Sequence, residues 1–321
     1  MLDRLSDTPV RARDETPGSG TSRVPAPKVL AVFERSCYAG SGPDLLLCLG
    51  LPEIGRGPLN LLIDLPPGTS FGQLGLRKGE PFKREPGGSL TLGGLRVLLD
   101  GAEIWTPEMP APARTDAETT RLRIRSLARA IESHPNPPGL GGLAFPALAA
   151  RSADIASALS PLATRALPYA CDFSSGMESG KTDLVRKGAK GLIGLGPGLT
   201  PAGDDFLGGC LTALRCAENG GGFETSELNR AAAEIRDLAA GRTPLISEAL
   251  LRRAVEGASA ESVHRLLTAI LSGSGPAEPG VLGSAVRDLA RHGHSSGWDA
   301  LAGVAWALRS ILERIGGTTA L

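Results

Sequence analysis

An α+β fold is predicted for this chain, with a small β-rich unit followed by a mainly α-helical one. Two observations predict it. From Lys28 to about Trp105, short apolar runs recur between Gly and Pro turns, at the spacing of strands. Beyond Thr106-Pro-Glu-Met-Pro-Ala-Pro112, which reads as a linker, the apolar period changes to that of helices. The division is therefore a tail over residues 1–27, a β-rich domain over 28–106 and a helical domain over 113–316.

The tail is polar, mixed in charge and rich in Pro, Gly, Ser and Thr, with no apolar core of a signal peptide; it reads as disordered. Strands are expected at Val29–Phe33, Leu45–Leu49, Leu59–Ile63 and Leu95–Leu99, forming a small sheet or partly open barrel. Arg56, in the Gly55–Pro58 turn, reads as solvated, and Ser36-Cys37-Tyr38 gives no functional signal. Helices are expected at 117–133, 144–159, 182–187, about 201–217, 226–239, 244–256, 261–272, 280–291 and 298–314. His134 beside a proline breaker reads as a surface or capping residue, and His264 as a satisfied core histidine.

Composition narrows the function classes. The 34 basic and 34 acidic side chains cancel, so no general attraction to nucleic acid or an anionic membrane is expected. No apolar run approaches the roughly 18 residues that a membrane span needs. The five cysteines are scattered without a C-x-x-C pair, which suits free thiols in a reducing, cytoplasmic setting.

Chemistry concentrates in Gly191-Leu-Ile-Gly-Leu-Gly-Pro-Gly-Leu-Thr-Pro-Ala-Gly-Asp-Asp-Phe-Leu-Gly-Gly-Cys210. Thr200-Pro201 reads as a helix start, with Thr200 as N-cap. The helix presents Leu207, Cys210, Leu211 and Leu214 on its apolar face, and Asp205, Gly208, Gly209 and Thr212 on a small one. Two glycines inside a helix cost about 1 kcal/mol each against alanine, so a backbone or a ligand must approach that face. The N–H groups near Gly194, Gly196, Gly198, Thr200 and Gly203, with the helix dipole, suit a phosphate or carboxylate. Asp204 and Asp205 complement the dipole, and can also hold a cation or accept a proton from an amide or amine. The loop lacks the Lys-Ser/Thr of a Walker A sequence and misses the G-x-G-x-x-G spacing.

A second stretch, Gly297-Trp-Asp-Ala-Leu-Ala-Gly303, echoes Gly203-Asp-Asp-Phe-Leu-Gly-Gly209 at glycine, aspartate, leucine and glycine. Asp299 then corresponds to Asp205, and two helix starts are expected to face one site. His292 and His294 form a His-x-His pair, but no third nitrogen or sulfur ligand stands at zinc spacing. Acid–base chemistry, or donation to an anion by His294, is the better reading. No motif demands a cofactor; magnesium is the one that the paired aspartates suggest.

At Gly194-Leu-Gly-Pro-Gly-Leu-Thr-Pro-Ala-Gly-Asp-Asp-Phe-Leu the sequence resembles the AllH-type family, long catalogued as a domain of unknown function. The resemblance extends from Lys28 to about Ile315. It includes Gly57-Pro58, the Thr243 to Ile246-Ser247 segment and Gly293-His-Ser-Ser-Gly-Trp-Asp299. One member is associated with bacterial oxamate carbamoyltransferase, as a subunit of a complex in anaerobic allantoin breakdown. The resemblance implies carbamoyl phosphate or oxamate as a small anionic substrate, other subunits as partners, and a transferase role in purine-derived nitrogen catabolism. On that reading Asp204, Asp205, His294 and Asp299 are the catalytic candidates. Gly194, Gly196, Gly198, Thr200, Gly203, Thr243, Ser247, Ser295, Ser296 and Gly297 are the substrate-binding ones. The Ser-Thr-Arg-Thr phosphate motif of ordinary transcarbamoylases is absent. A non-catalytic binding or scaffolding subunit is the alternative, its glycine faces serving helix packing.

Overall fold

The computed structural model describes residues 25–86, 88–107, 117–134, 137–148, 159–218, 225–272 and 278–316. The α+β expectation holds: strands occupy the N-terminal part and helices the remainder. Residues 1–24 of the expected tail, 108–112 of the linker and 149–158 of the expected 144–159 helix lie outside the described residues.

Seven strands make two sheets. β1 (Lys28–Val32), β2 (Ser36–Gly42), β3 (Leu45–Gly50) and β4 (Asn60–Leu62) lie in that order, antiparallel except for the β3–β4 pair. β5 (Phe82–Arg84), β6 (Ser89–Leu92) and β7 (Leu95–Leu98) form an antiparallel meander. Alternation sends side chains to two places. Cys37, Ala39, Leu47 and Leu49 join Phe71, Phe82, Leu90 and Val97 in a core shared by both sheets. Leu46 and Cys48 point the other way and pack, with Leu59, on Ile246 and Ala249 of a helix. The sequence reading missed β2, β5 and β6. β2 reads Ser-Cys-Tyr-Ala-Gly-Ser-Gly, which lacks the apolar run that marks a strand, and its pairing with β3 creates it.

Ten helices follow among the described residues: α1 (Ala117–Glu132), α2 (Ala144–Leu148), α3 (Pro161–Ser179), α4 (Thr182–Leu192), α5 (Ala202–Glu218), α6 (Thr225–Ala239), α7 (Leu245–Ala254), α8 (Glu261–Leu271), α9 (Pro279–Ala290) and α10 (Ser296–Gly316). The sequence reading had no α3. Its stretch is Ala- and Ser-rich and holds Pro168, so periodicity there is weak, although Ser160 caps it by accepting from Ala163 N–H. α4 runs five residues beyond the expected Lys187, to Leu192.

α5 and α10 form the centre of the helical core. Leu207, Cys210, Leu211 and Leu214 of α5 are buried as expected, and so are Leu301, Val304, Ala305 and Leu308 of α10. Each such Leu contributes on the order of 2 kcal/mol through burial. The two helices touch backbone to backbone. A Cβ on Gly209 would lie 2.1 Å from the Ala300 carbonyl oxygen, and one on Gly303 would lie 1.9 Å from that of Phe206. Gly208, by contrast, faces only the Ala254 methyl at 3.9 Å.

The two neighbouring glycines of α5 therefore differ in kind. Gly209→Val should destabilise the protein by roughly 3 kcal/mol or more in urea denaturation, because the helices must part. Gly208→Ala should be neutral or stabilising by up to about 1 kcal/mol, from helix propensity alone. Equal losses at both positions would show that the contact is not the constraint.

Candidate functional site

The Thr-Pro pairs act differently from a simple N-cap. α5 begins at Ala202 and α7 at Leu245, one residue after each proline. The Pro201 carbonyl accepts from the N–H of Asp204 (2.9 Å) and Asp205 (3.1 Å), and the Pro244 carbonyl from Glu248. Proline keeps its acceptor while lacking a donor, so it takes the position before the first turn. Both threonine hydroxyls are thereby released for tertiary contacts. Thr200 Oγ1 meets Ser296 Oγ at the start of α10 (3.1 Å), and Thr243 Oγ1 donates to the Asp204 carboxylate.

Asp204 fastens the loop. Its Oδ1 accepts from Gly194 N–H (2.9 Å), and its Oδ2 from Thr243 and from Ser247 Oγ (2.6 Å). Ser247 reaches it because α7 turns Ile246 and Ala249 to the sheet and Ser247 to the opposite side. Burial raises the Asp204 pKa, against the three hydrogen bonds, which favour its charged form.

Asp205 and Asp299 are less well provided for. Asp205 Oδ2 is closed off from solvent and has no hydrogen-bond partner among the described residues. Burial holds the Asp205 carboxyl well above the usual range; the Ser296 and Thr200 hydroxyls oppose this, and the charges of Asp299 and Asp204 add to it. Asp299 is fully buried; its Oδ1 accepts from Leu140 N–H (2.5 Å), while Oδ2 has no partner among the described residues. Burial pushes its pKa up to about 7, against the hydrogen bonds of Leu140 and Ser295. The segment at Gly139 sits directly over this carboxylate: a Cβ there would lie 2.2 Å from Oδ1.

The echo between the two stretches is structural. Gly203 N–H donates to the Leu195 carbonyl (2.9 Å), and Leu195 N–H to that of Leu192 (2.9 Å). In the second copy Gly297 N–H donates to His292 (3.0 Å), and His292 N–H to Leu289 (3.0 Å). A Cβ on Gly203 would strike Leu192 O at 2.0 Å, and one on Gly297 would strike Leu289 O at 1.8 Å. Thus α4–loop–α5 and α9–loop–α10 are the same supersecondary unit, used twice and joined through Gly209 and Gly303. The first loop is longer: 11 positions separate Leu192 from Gly203, and 8 separate Leu289 from Gly297. The longer loop holds Gly196 (φ 114°) and Gly198 (φ 100°), in conformations that L side chains avoid. A Cβ on Gly196 would come within 2.9 Å of Ala202 N, filling the space before the first free N–H of α5. No acceptor among the described residues meets the N–H groups of Gly196, Gly198 or Thr200.

A family model described as oxamate carbamoyltransferase subunit AllH matches residues 192–308. Over that span, 117 of the 321 residues, the chain is similar to the AllH family. The match opens at the last residue of α4 and closes within α10, so the matched region holds both helix starts. No curated protein and no solved structure matches the chain.

The structure brings Gly194, Gly196, Thr200, Gly203, Asp204, Asp205, Thr243, Ser247, Ser296, Gly297 and Asp299 around the two converging helix starts. Gly198 stands exposed on the loop, and Ser295 lies beside Asp299. His292 and His294 are exposed in the α9–α10 loop, and no hydrogen bond ties His294 to either aspartate. Among the described residues no group of three His, Cys, Asp or Glu is placed to hold a metal. His264 is a buried acceptor, with Ser259 N–H donating to its Nε2 (3.0 Å), and half-exposed His134 packs edge-on against Trp298. Arg56, half-exposed, pairs with Glu103 and Glu261 across the start of α8. All five cysteines are unpaired, and no helix among the described residues is long and apolar enough to cross a membrane.

Two residues near the site escaped the sequence reading. Leu140 supplies a buried donor from far along the chain, at a proline-rich turn without functional pattern. Tyr38 of β2 lies close enough for the Asp205 charge to help raise its pKa, after burial and Cys48.

Two outcomes are expected. Asp204→Ala should cost roughly 2–4 kcal/mol in chemical denaturation, since Gly194 N–H and the Ser247 hydroxyl lose their acceptor, while Asp204→Asn should cost less. Asp299 binds its proton more tightly when folded, so its contribution is greatest at low pH and falls as pH rises from about 4 to about 7. With divalent ions chelated, wild-type stability should decline across that window relative to Asp299→Asn, by on the order of 3 kcal/mol. Parallel pH profiles for the two proteins would refute the assignment.

Proposed function

We propose that the chain acts as a subunit of a carbamoyltransferase-type complex, and that its paired helix starts hold a small anionic substrate of the carbamoyl phosphate or oxamate class. The family description supports the subunit role. The observation that carries the substrate reading is the difference between the two copies of one unit. Eight positions suffice to join the helices in the second copy, so the longer first loop is not required by the turn. What it adds is Gly196 and Gly198, whose N–H groups have no acceptor, at a helix start where an anion is favoured.

The chemistry follows from the two aspartates. A carboxyl held protonated near neutrality donates to the carbonyl of an amide or carbamoyl group, and a carboxylate beside it accepts from the amide nitrogen. Asp205 and Asp299 are suited to those two roles, with their unpartnered oxygens at the converging starts. Asp204 positions the loop and does not act on substrate. This chemistry fits nitrogen catabolism, as the wider family context suggests.

The second reading, a scaffolding subunit, is favoured by one observation: Gly203, Gly209, Gly297 and Gly303 all serve backbone packing. The two readings differ in what a loop substitution does. Carbamoyl phosphate, oxamate and inorganic phosphate, tested separately, should raise the melting temperature of the wild type. Gly196→Ala should weaken that binding at least about tenfold by calorimetry while keeping the helical circular dichroism. Equal binding by the variant, or none by the wild type with partner assembly intact, would leave the scaffolding role.

A further inference from the structure

The anion cradle and the aspartates make opposite demands. Two helix starts converge where Thr200 and Ser296 touch, and each brings the equivalent of about half a positive charge. Two ionised carboxylates in the same place outweigh them, leaving a net charge of about −1 before any ligand arrives. An anion entering through Gly196 and Gly198 would then be repelled. Yet the two carboxylates are not paired off by the protein. Asp299 is fully buried, with Oδ2 unpartnered and closed to solvent, and Asp205 Oδ2 is in the same condition. No Lys or Arg hydrogen bond or ion pair reaches either aspartate among the described residues. The groups facing Asp205 are Asp204, already fully engaged, Asp299, the Thr200 and Ser296 hydroxyls, and Tyr38 from the sheet.

We infer that Asp205 and Asp299 hold a hard divalent cation of the magnesium class, with Thr200 and Ser296 as neutral oxygen ligands, and that the anion binds as its partner. Every donor around the pair is an oxygen, and no thiol or imidazole reaches it, which selects magnesium or calcium over zinc. Magnesium keeps several waters and commonly completes its shell with one or two carboxylates and a substrate phosphate. A dication between the carboxylates changes the local charge from about −1 to about +1, so an arriving dianion is attracted to the loop instead of repelled. This rests on the anion loop of the proposed function and gives Asp205 and Asp299 the role of cation ligands in place of the protonated donor and its partner.

Calorimetry on the full chain tests it, with magnesium chloride alone, inorganic phosphate alone in EDTA, and phosphate in saturating magnesium. Phosphate should bind at least about tenfold more tightly with magnesium than in EDTA. Asp299→Asn and Asp205→Asn should each abolish that enhancement, while phosphate binding in EDTA stays equal or improves. Asp299→Asn keeps an oxygen for Leu140 N–H, and its melting curve checks the fold. If wild-type phosphate affinity is the same in EDTA and in magnesium, the carboxyls act as neutral acids and the cation is overturned, although the anion loop stands. If phosphate binds in neither condition, the loop reading fails as well. Enhancement that survives in both Asn variants places the metal elsewhere and also overturns the proposal.

Discussion

The contact on which the structure depends is the meeting of two backbones at Gly209 and Gly303. With any side chain there, α5 and α10 would stand apart by the width of a methyl group or more. The pair is reciprocal: Gly209 accommodates Ala300 and Gly303 accommodates Phe206, which are equivalent positions in the two copies. Helices joined in this way begin together, as the Thr200–Ser296 hydrogen bond shows. Their unpaired N–H groups and partial positive charges are thus delivered to one place. Packing, and not the loop alone, creates the electrostatic focus.

That focus explains why two aspartates survive there with incomplete hydrogen bonding. A buried carboxylate without partners is costly, and the usual remedies are a proton, a cation or a nearby dipole. Asp204 shows the fully satisfied alternative one residue away, with three donors on its two oxygens. Asp205 has only hydroxyls nearby, and Asp299 has one strong backbone donor on one oxygen. Asp204, with both oxygens engaged, thus differs from Asp205 and Asp299, each of which keeps one oxygen without a partner among the described residues.

Much of this was legible in the sequence, and the failures have physical causes. The glycine-dense loop, the helix starts and the Asp205–Asp299 echo could be read because close backbone approach forces glycine at fixed helical positions, leaving a pattern. The exchange of caps could not be read: Thr200 and Thr243 fit the N-cap preference, and only tertiary neighbours redirect their hydroxyls. β2 was invisible because its glycines and serines gain strand character from pairing with β3. Leu140 was beyond reach altogether, since a backbone donor carries no side-chain signature and its acceptor lies 159 residues away. His294, which looked chemical in sequence, stands exposed and untied to the aspartates.

The repeated unit also shows how the two halves came to differ. Position for position, Asp204 corresponds to Trp298, each following the glycine that begins the close contact. Trp298 is buried and stacks edge-on with His134, filling space in the second copy. Asp204 instead reaches back to Gly194 and across to Thr243 and Ser247, all of which belong to the elaborated loop or to α7 beneath it. An aromatic suffices where the loop is short. Where it is longer, a polar tie is needed, because glycines at positive φ supply no side chains of their own to hold the loop down. α7 in turn is seated on the sheet through Ile246 and Ala249, and Arg252 pairs with Glu248 and with Asp44 of the β2–β3 turn. The β-rich unit therefore reaches the loop through α7 and the Asp204 carboxylate, and a change in that sheet would be felt at the site by way of Ser247 as well as through Tyr38.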